Sequence, residues 1–357
     1  MKILFTGVYP HLYGGLERFA ERAAAALRAL GHVVDVAGDP PQELDDRDLV
    51  LMQKIPPTVD GLRRLKSRYG DRLRFYAHDH ELYCLRRHYY DPFRHLCNRT
   101  YSFLPCRICA ATTRPSYLMR NLFRPLCAFL DEMRSVRTFV PSHYIKENLL
   151  RNGFAPENVK VLYPLFVRPF RSEAESRGWM PHGVLRVLFM GQIIAGKGVG
   201  MLVKASGMMN TPHELTVVGT GRDEAKLRRA APPGVVFKGW QENAQRFFRE
   251  ADVCAVPSLW NEPFGTVGAE ALSHGVPVVT FDVGGLRDWL VPGKTGLFPK
   301  APDGRTRTAK ARTPAALAEA LDAMASPSRL AEMGANALDT VERLFDPDRF
   351  IKEFLAW

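Results

Sequence analysis

The sequence predicts an α/β protein built from two doubly wound, Rossmann-like domains. Three observations carry that expectation. Apolar, β-rich segments alternate with amphipathic ones along nearly the whole chain, the pattern of βαβ units around a parallel sheet. Midway along the chain the alternation breaks, from Pro164 to Gly183, where Pro, Arg, Glu and Ser follow no period. And 357 residues are enough for two domains with separate cores. A boundary in the aperiodic stretch gives domains of residues 1–168 and 169–345.

The first half opens with Lys2 to Val8, apolar and β-rich as a central parallel strand should be. The loop TGVYPHLYGG follows, then a helix from about Leu16 to Leu30 and a strand from His32 to Ala37. GxGxxG is absent, so the loop is not the dinucleotide fingerprint. Gly14 and Gly15 sit just before a helix, where bare backbone suits a phosphate or sugar; a plain turn explains them equally well. Strands at Leu49 to Gln53 and Leu73 to Ala77 flank a helix at Val59 to Tyr69. The last strand runs into His78, at the sheet edge where open α/β sheets bind ligands. A histidine packed at a strand end is the alternative. Cys84 to Cys109 has little regular periodicity. Helices at Ser116 to Arg134 and Ser142 to Asn152, the latter capped by Ser142, frame a strand at Ser135 to Pro141. Another strand covers Val159 to Tyr163.

The second half reads as strands at Val184 to Met190, Glu214 to Gly219, Val235 to Gly239, Ala251 to Ser258 and Val276 to Phe281. Helices fall between them, at about Gly198 to Met208, Asp223 to Ala230, Gln241 to Arg249 and Gly265 to His274. Further helices begin at Pro314 and Ser328, and DPDRFIKEFLAW closes the chain as an amphipathic helix. The strands end in GQIIAGKG, GTG, GW, SLWNEPFG and DVGGLRD. Glycine or charge at every strand end on one edge marks a ligand cleft between two domains.

Charge and cysteine narrow the function. The net charge is +11, and residues 86–137 hold ten arginines, no lysine and three acids. Phosphorylated substrates, anionic lipid head groups or nucleic acid suit such a surface; so does a plain solvated face. No nucleic-acid-binding signature accompanies it. No apolar run is long enough to span a bilayer. MKILFTGVYP reads as a core strand and not as a signal peptide, so a cytoplasmic protein is expected. Cys84, Cys97, Cys106 and Cys109 have the spacing C-x12-C-x8-C-x2-C, which fits a structural zinc or iron–sulfur site or four free thiols. Cys127 and Cys254 read as isolated core cysteines.

The densest chemistry lies in SLWNEPFGTVGAE, Ser258 to Glu270. Pro263 biases Glu262 toward an extended backbone. Gly265 and Thr266 open a helix whose N–H groups favour an anion. Glu262 and Glu270 then frame a phosphate-ready helix end, the layout a nucleotide-sugar needs. Lys197, bracketed by glycines, is placed to neutralise a diphosphate, although GxxxxGK[ST] is not met. Gln192 shares its loop. Gly219 and Gly221 allow close approach, and Trp240 offers a ring to a base.

With these residues the chain resembles a family 4 retaining glycosyltransferase of the GT-B fold, "glycosyl transferases group 1", over essentially its whole length. EPFGTVGAE matches that family's E-x7-E motif, GQIIAGKG its strand–loop–lysine element and GGLER its N-terminal glycine loop. VGTG, DVGGLRD and PGKTGLF follow in the family's order. The resemblance implies two Rossmann-like domains facing each other across a cleft, with residues 346–357 forming a helix that crosses back to the first domain. It implies a hexosyltransferase-type enzyme of polysaccharide biosynthesis, using a nucleoside-diphosphate sugar, retaining configuration and needing no metal for catalysis. Glu270 is expected on the donor ribose and Glu262 at the transferred sugar, with Pro263 and Phe264 among the donor-binding residues. Gly265, Thr266 and Lys197 are expected at the diphosphate, Gly14 and Gly15 against the donor, and His78 near the reacting sugar. Gln192 stands where many members carry arginine, and Asp288 where glutamate is common. The acceptor is expected on the first domain: a glycan or lipid-linked molecule, with docking on an anionic membrane surface through the arginine-rich stretch at about 80–135. A sugar-nucleotide epimerase or hydrolase of similar fold and a non-catalytic nucleotide-sugar-binding protein are the alternatives.

Overall fold

The structure is a computed structural model and describes residues 1–9, 14–38, 45–89, 96–112, 126–166 and 178–357. The chain divides into two compact units. One comprises Met1–Leu165 with Phe345–Trp357, the other Phe166–Leu344.

The first unit holds a six-stranded parallel sheet in the order β2-β1-β3-β4-β5-β6. Its strands are β1 (Lys2–Thr6), β2 (Val33–Ala37), β3 (Leu49–Met52), β4 (Leu73–Tyr76), β5 (Arg137–Val140) and β6 (Val159–Val161). The helices described are α1 (Gly15–Ala29), α2 (Val59–Tyr69), α3 (Phe103–Ala111), α4 (Leu126–Met133) and α5 (His143–Arg151). Alternate residues of a strand face opposite sides of its sheet, and β1 shows the consequence. Ile3 and Phe5 pack with Phe19, Ala23 and Leu27 of α1. Leu4 packs with Leu62, Leu65, Phe129 and Met133 of α2 and α4. Ser142 caps α5, accepting from the Ile145 N–H at 3.2 Å.

The second unit holds another six-stranded parallel sheet, in the order β12-β11-β10-β7-β8-β9. The strands are β7 (Leu185–Met190), β8 (His213–Val218), β9 (Val235–Gly239), β10 (Val253–Val256), β11 (Val278–Thr280) and β12 (Gly296–Leu297). Helices α6 (Val199–Ser206), α7 (Glu224–Ala230), α8 (Arg246–Glu250), α9 (Thr266–Ser273), α10 (Pro314–Asp322) and α11 (Pro327–Leu344) connect or cover them. The strand order reverses between β7 and β10. That reversal is the topological switch point, where loops leave adjacent strands in opposite directions and open a crevice for a ligand. After α11 the chain re-enters the first unit as α12 (Pro347–Ala356). There the Phe354 ring lies 6.0 Å from Phe5 and 5.6 Å from Phe139.

Several expectations need correction. Phe103–Ala111 is helical although its sequence lacks a clear amphipathic period; Cys, Pro and Ile interrupt the pattern. The helix expected over Gln241 to Arg249 covers only Arg246–Glu250. Cys127 is exposed. Its helix α4 buries Leu126, Phe129, Leu130 and Met133, and Cys127 lies off that face, donating to the Tyr101 hydroxyl at 3.6 Å. Cys254 is buried as expected, its thiol pushed up to about 12 by burial and by the Glu270 charge. The Ser116 to Arg134 helix is described only from Leu126, and most of the aperiodic boundary lies outside the described residues.

Candidate functional site

The two strands at the switch point of the second sheet each deliver one charged side chain. The loop after β7 carries Lys197; the loop after β10 carries Glu262. Lys197 Nζ donates to Glu262 Oε1 at 2.7 Å. Two further donors reach the same oxygen, Ser258 Oγ at 2.5 Å and Trp260 Nε1 at 2.8 Å. Glu262 is only 4% exposed. Burial pushes its carboxyl up, but the Lys197 ammonium and the three hydrogen bonds outweigh that and hold it below the ordinary value. The group is therefore an anion at neutral pH.

Glycines bring these loops together. Gly198 has φ +71°, and a Cβ there would stand 1.7 Å from the Pro257 carbonyl oxygen. The Leu259 N–H donates to the Gly196 carbonyl at 2.9 Å. On the other side, Gly284 has φ +60° and a Cβ there would stand 2.1 Å from the Glu262 carbonyl oxygen, which accepts from the Gly285 N–H at 2.8 Å. Trp289 Nε1 donates to the Phe264 carbonyl at 2.6 Å. DVGGLRD thus braces the Glu262 loop. Its first Asp, Asp282, is held by Arg287 Nε at 2.7 Å and Thr306 Oγ1 at 2.6 Å. Asp288 closes the same short 3-10 turn.

Gly265 is the N-cap of α9 in the left-handed region, and among the described residues no side chain caps that helix. Thr266 begins it. Glu270 lies one turn in, 3% exposed. Pro263 and Phe264 lie between Glu262 and this helix end. Gln192 is exposed on the Lys197 loop. Trp240 is 58% exposed at the end of β9. The bare faces of Gly219 and Gly221 are taken by the chain itself, because a Cβ there would meet the carbonyl oxygens of Gly191 and Ile193 at 2.0 and 2.4 Å. Loop-to-loop packing accounts for these two glycines.

In the first unit, His78 follows β4. Its Nε2 donates to the Gln53 side-chain oxygen, and its ring lies 4.6 Å from Tyr76 and 5.2 Å from Phe19. Burial, aided by the Lys54 charge, pushes its pKa down to about 3, so the imidazole is neutral across the physiological range. Gly14 precedes α1 and donates its N–H to Glu17 Oε2 at 3.0 Å; among the described residues nothing lies within 4 Å of a Cβ placed on Gly15. Residues 10–13 of the same loop lie outside the described residues.

Cys84, Cys97, Cys106 and Cys109 line one cavity. Among the described residues, however, no three or more Cys, His, Asp or Glu side chains are grouped to hold a metal ion. Cys106 and Cys109 have separate contacts. The Ser102 N–H donates to Cys106 Sγ at 3.4 Å and Arg86 Nη1 to Cys109 Sγ at 3.9 Å. Burial raises the Cys84 thiol to about 11 and the Cys106 thiol above its usual value.

Sequence reasoning missed Ser258 and Trp260 as partners of Glu262. Both stand in the quoted stretch, four and two residues before the carboxylate. A loop that doubles back on itself has no period from which the contact could be read.

Comparison with known proteins agrees with this architecture. Residues 13–165 match the family described as Glycosyltransferase Family 4, and residues 185–327 match Glycosyl transferases group 1. Together these matches take in most of both units, and the chain belongs to the family 4 glycosyltransferases. A GDP-mannose-dependent alpha-mannosyltransferase of Mycobacterium tuberculosis is 35% identical over 170 residues, 45% of this chain and 43% of that protein. A D-inositol 3-phosphate glycosyltransferase of an Arthrobacter species is 33% identical over 148 residues, 38% of this chain and 35% of that one. The chain thus spans less than half the length of these curated relatives. The fold is that of GT-B enzymes. Anabaena HepE, solved with UDP and glucose, superposes with a TM-score of 0.67 at 17% identity, covering 100% of this chain and 99% of that one. WaaG, a glycosyltransferase involved in lipopolysaccharide biosynthesis, gives 0.64 at 18% identity over 99% of each.

Proposed function

We propose that the protein is a retaining glycosyltransferase that moves a sugar from a nucleoside-diphosphate donor to a glycan or lipid-linked acceptor without a catalytic metal. The observation that carries this reading is the Lys197–Glu262 pair, 2.7 Å apart on the two loops of the switch point. It puts one cation and one anion in a crevice whose helix end, Gly265–Thr266, is open to a phosphate.

The division of labour follows from charge. Departure of a nucleoside diphosphate builds negative charge on its terminal phosphate, and a protein accelerates such a step most by stabilising that charge with fixed donors and cations. Lys197 and the first amides of α9 supply them. With Gln192 in place of a second cation, more of the task falls on Lys197. Glu262 is an anion with an open oxygen for a sugar hydroxyl, and Glu270 holds the ribose. The neutral His78 offers a hydrogen bond to the sugar without adding positive charge beside the reacting carbon. The arginine-rich part of the first unit is the proposed docking face for an anionic acceptor or membrane surface; among the described residues no helix is long and apolar enough to cross a membrane.

Calorimetry with UDP-, GDP- and ADP-sugars, on wild type and on Glu270→Ala, tests the reading. Selective binding of one donor, lost in the variant, is the expected result, followed by acceptor-dependent turnover that a chelator leaves unchanged. Turnover of the donor to free sugar or an epimer at the same rate with and without acceptor would overturn it.

A further inference from the structure

We propose that Trp260 is the positioning residue of the donor site: its indole N–H helps pin Glu262 Oε1, leaving Oε2 to accept from a hydroxyl of the transferred sugar, while its ring face seats Lys197. The inference rests on the donor-site reading above and adds residues that no sequence motif assigned.

The geometry is specific. All three hydrogen bonds that the Glu262 carboxylate accepts among the described residues go to Oε1, from Lys197, Ser258 and Trp260. A carboxylate oxygen offers about two lone pairs, so three donors fill Oε1 and none occupies Oε2. The carboxylate is thereby fixed in rotation, with one oxygen spent on the protein and one kept for the ligand. The same indole serves the neighbouring cation. Lys197 Nζ lies 4.9 Å from the ring centroid, within cation–π range. The ring also lies against the bare Cα of Gly196, where a Cβ would stand 2.4 Å from indole Cε3. One side chain therefore sets the positions of both charged groups before a donor arrives. Such preorganisation removes the ordering cost from the binding step.

The two functions of the indole separate by mutation. Trp260→Phe keeps the ring face and removes the N–H; Trp260→Leu removes both. With UDP and GDP as nucleotide probes and UDP-glucose and GDP-mannose as nucleotide-sugar probes, the wild-type preference identifies the pair to use. Trp260→Phe is expected to bind the nucleoside diphosphate within about twofold of wild type and the nucleotide-sugar roughly ten- to a hundredfold more weakly, the loss of one hydrogen bond to a charged group. Trp260→Leu is expected to weaken both. Ser258→Ala, which removes another Oε1 donor, is expected to follow Trp260→Phe and provides the same test should the tryptophan variants fail to fold. Equal weakening of both ligands by Trp260→Phe, or of neither, would overturn the assignment. If the wild type binds none of the four probes, the donor reading fails instead, and amide exchange then judges the contact alone. The indole N–H resonance missing from Trp260→Phe should exchange at least about tenfold more slowly in wild type than in Glu262→Ala. Equal rates would refute the Trp260–Glu262 bond.

Discussion

Glu262 and His78 show how burial ends differently for a carboxylate with a cation beside it and an imidazole without a counter-charge. Desolvation disfavours the charged form of each. Glu262 stays ionised because Lys197 stands 2.7 Å away and two neutral donors assist; His78 is desolvated with the Lys54 charge nearby and loses its own. Removing the cation should therefore leave an uncompensated buried anion. Lys197→Met is expected to raise the Glu262 pKa and cost about 1–3 kcal/mol in urea unfolding at neutral pH, with much of the loss recovered in Lys197→Met/Glu262→Gln. Equal destabilisation in the single and double variants would show that packing, and not charge, is lost. Neutral His78 makes stability depend on pH as well. Its unfolded value is 6.5 and its native value about 3, so between them the unfolded chain binds more protons. Stability contributed by neutral His78 is complete above about 6.5 and lost as pH falls toward 3, with a slope of up to about 1.4 kcal/mol per pH unit. Unfolding measured at several pH values in this window should show a shallower acid slope for His78→Gln.

Whole elements were the most legible part of the sequence, and contacts between loops the least. Parallel strands buried on both faces are continuous apolar runs, so β1, β7 and β10 stand out by composition alone. Glycine-rich strand ends were also visible, but not their purpose. Gly219 and Gly221 read as points of close ligand approach or, taken singly, as loop geometry, and Gly284 stood in the DVGGLRD strand end; the structure shows their bare faces filled by the chain's own carbonyls, at 2.0, 2.4 and 2.1 Å from a hypothetical Cβ. No local pattern encodes that, because the partners lie 22 to 28 residues away along the chain. The helix α3 was missed for a related reason: Cys106, Ile108 and Cys109 line a cavity, and Phe103, Leu104 and Ile108 are exposed, so no buried apolar stripe marks it. The loop bracing makes its own prediction. Gly284→Ala forces an L side chain into φ +60° and against the Glu262 carbonyl, costing at least about 1–2 kcal/mol of backbone strain. The loop carrying Glu262 should shift while the sheet, held by strand pairing, persists. Circular dichroism should be unchanged where donor affinity falls at least about tenfold; wild-type affinity in Gly284→Ala would show that the bracing has no part in the site.

At the scale of the molecule, each sheet has its own core, and the first is completed by the last residues of the chain. α12 supplies Phe350, Ile351 and Phe354 to the core that contains Ile3, Phe5 and Phe139. Two arginines of that sheet fasten it: Arg74 Nη1 donates to the Phe354 carbonyl and Arg137 Nη1 to the Trp357 carbonyl, the latter at 2.7 Å. The terminal amphipathic pattern announced the helix, but its partner strands, some 200 to 350 residues earlier, could not be read from it. Because the cores are separate, single substitutions should report on separate units. Phe354→Ala removes a fully buried ring and is expected to cost about 3–5 kcal/mol. That loss belongs to the first unit, whereas the strain of Gly284→Ala belongs to the second. Hydrogen exchange resolves the two: Phe354→Ala should speed exchange in β1, β4 and β5 and leave β7 and β10 near wild-type rates, and Gly284→Ala should do the reverse. A donor that binds the Lys197–Glu262 crevice should slow exchange in β7 and β10 in proportion to its affinity, even in the Phe354→Ala background. Uniform acceleration of all twelve strands among the described residues by either substitution would mean that the two units unfold as one cooperative body.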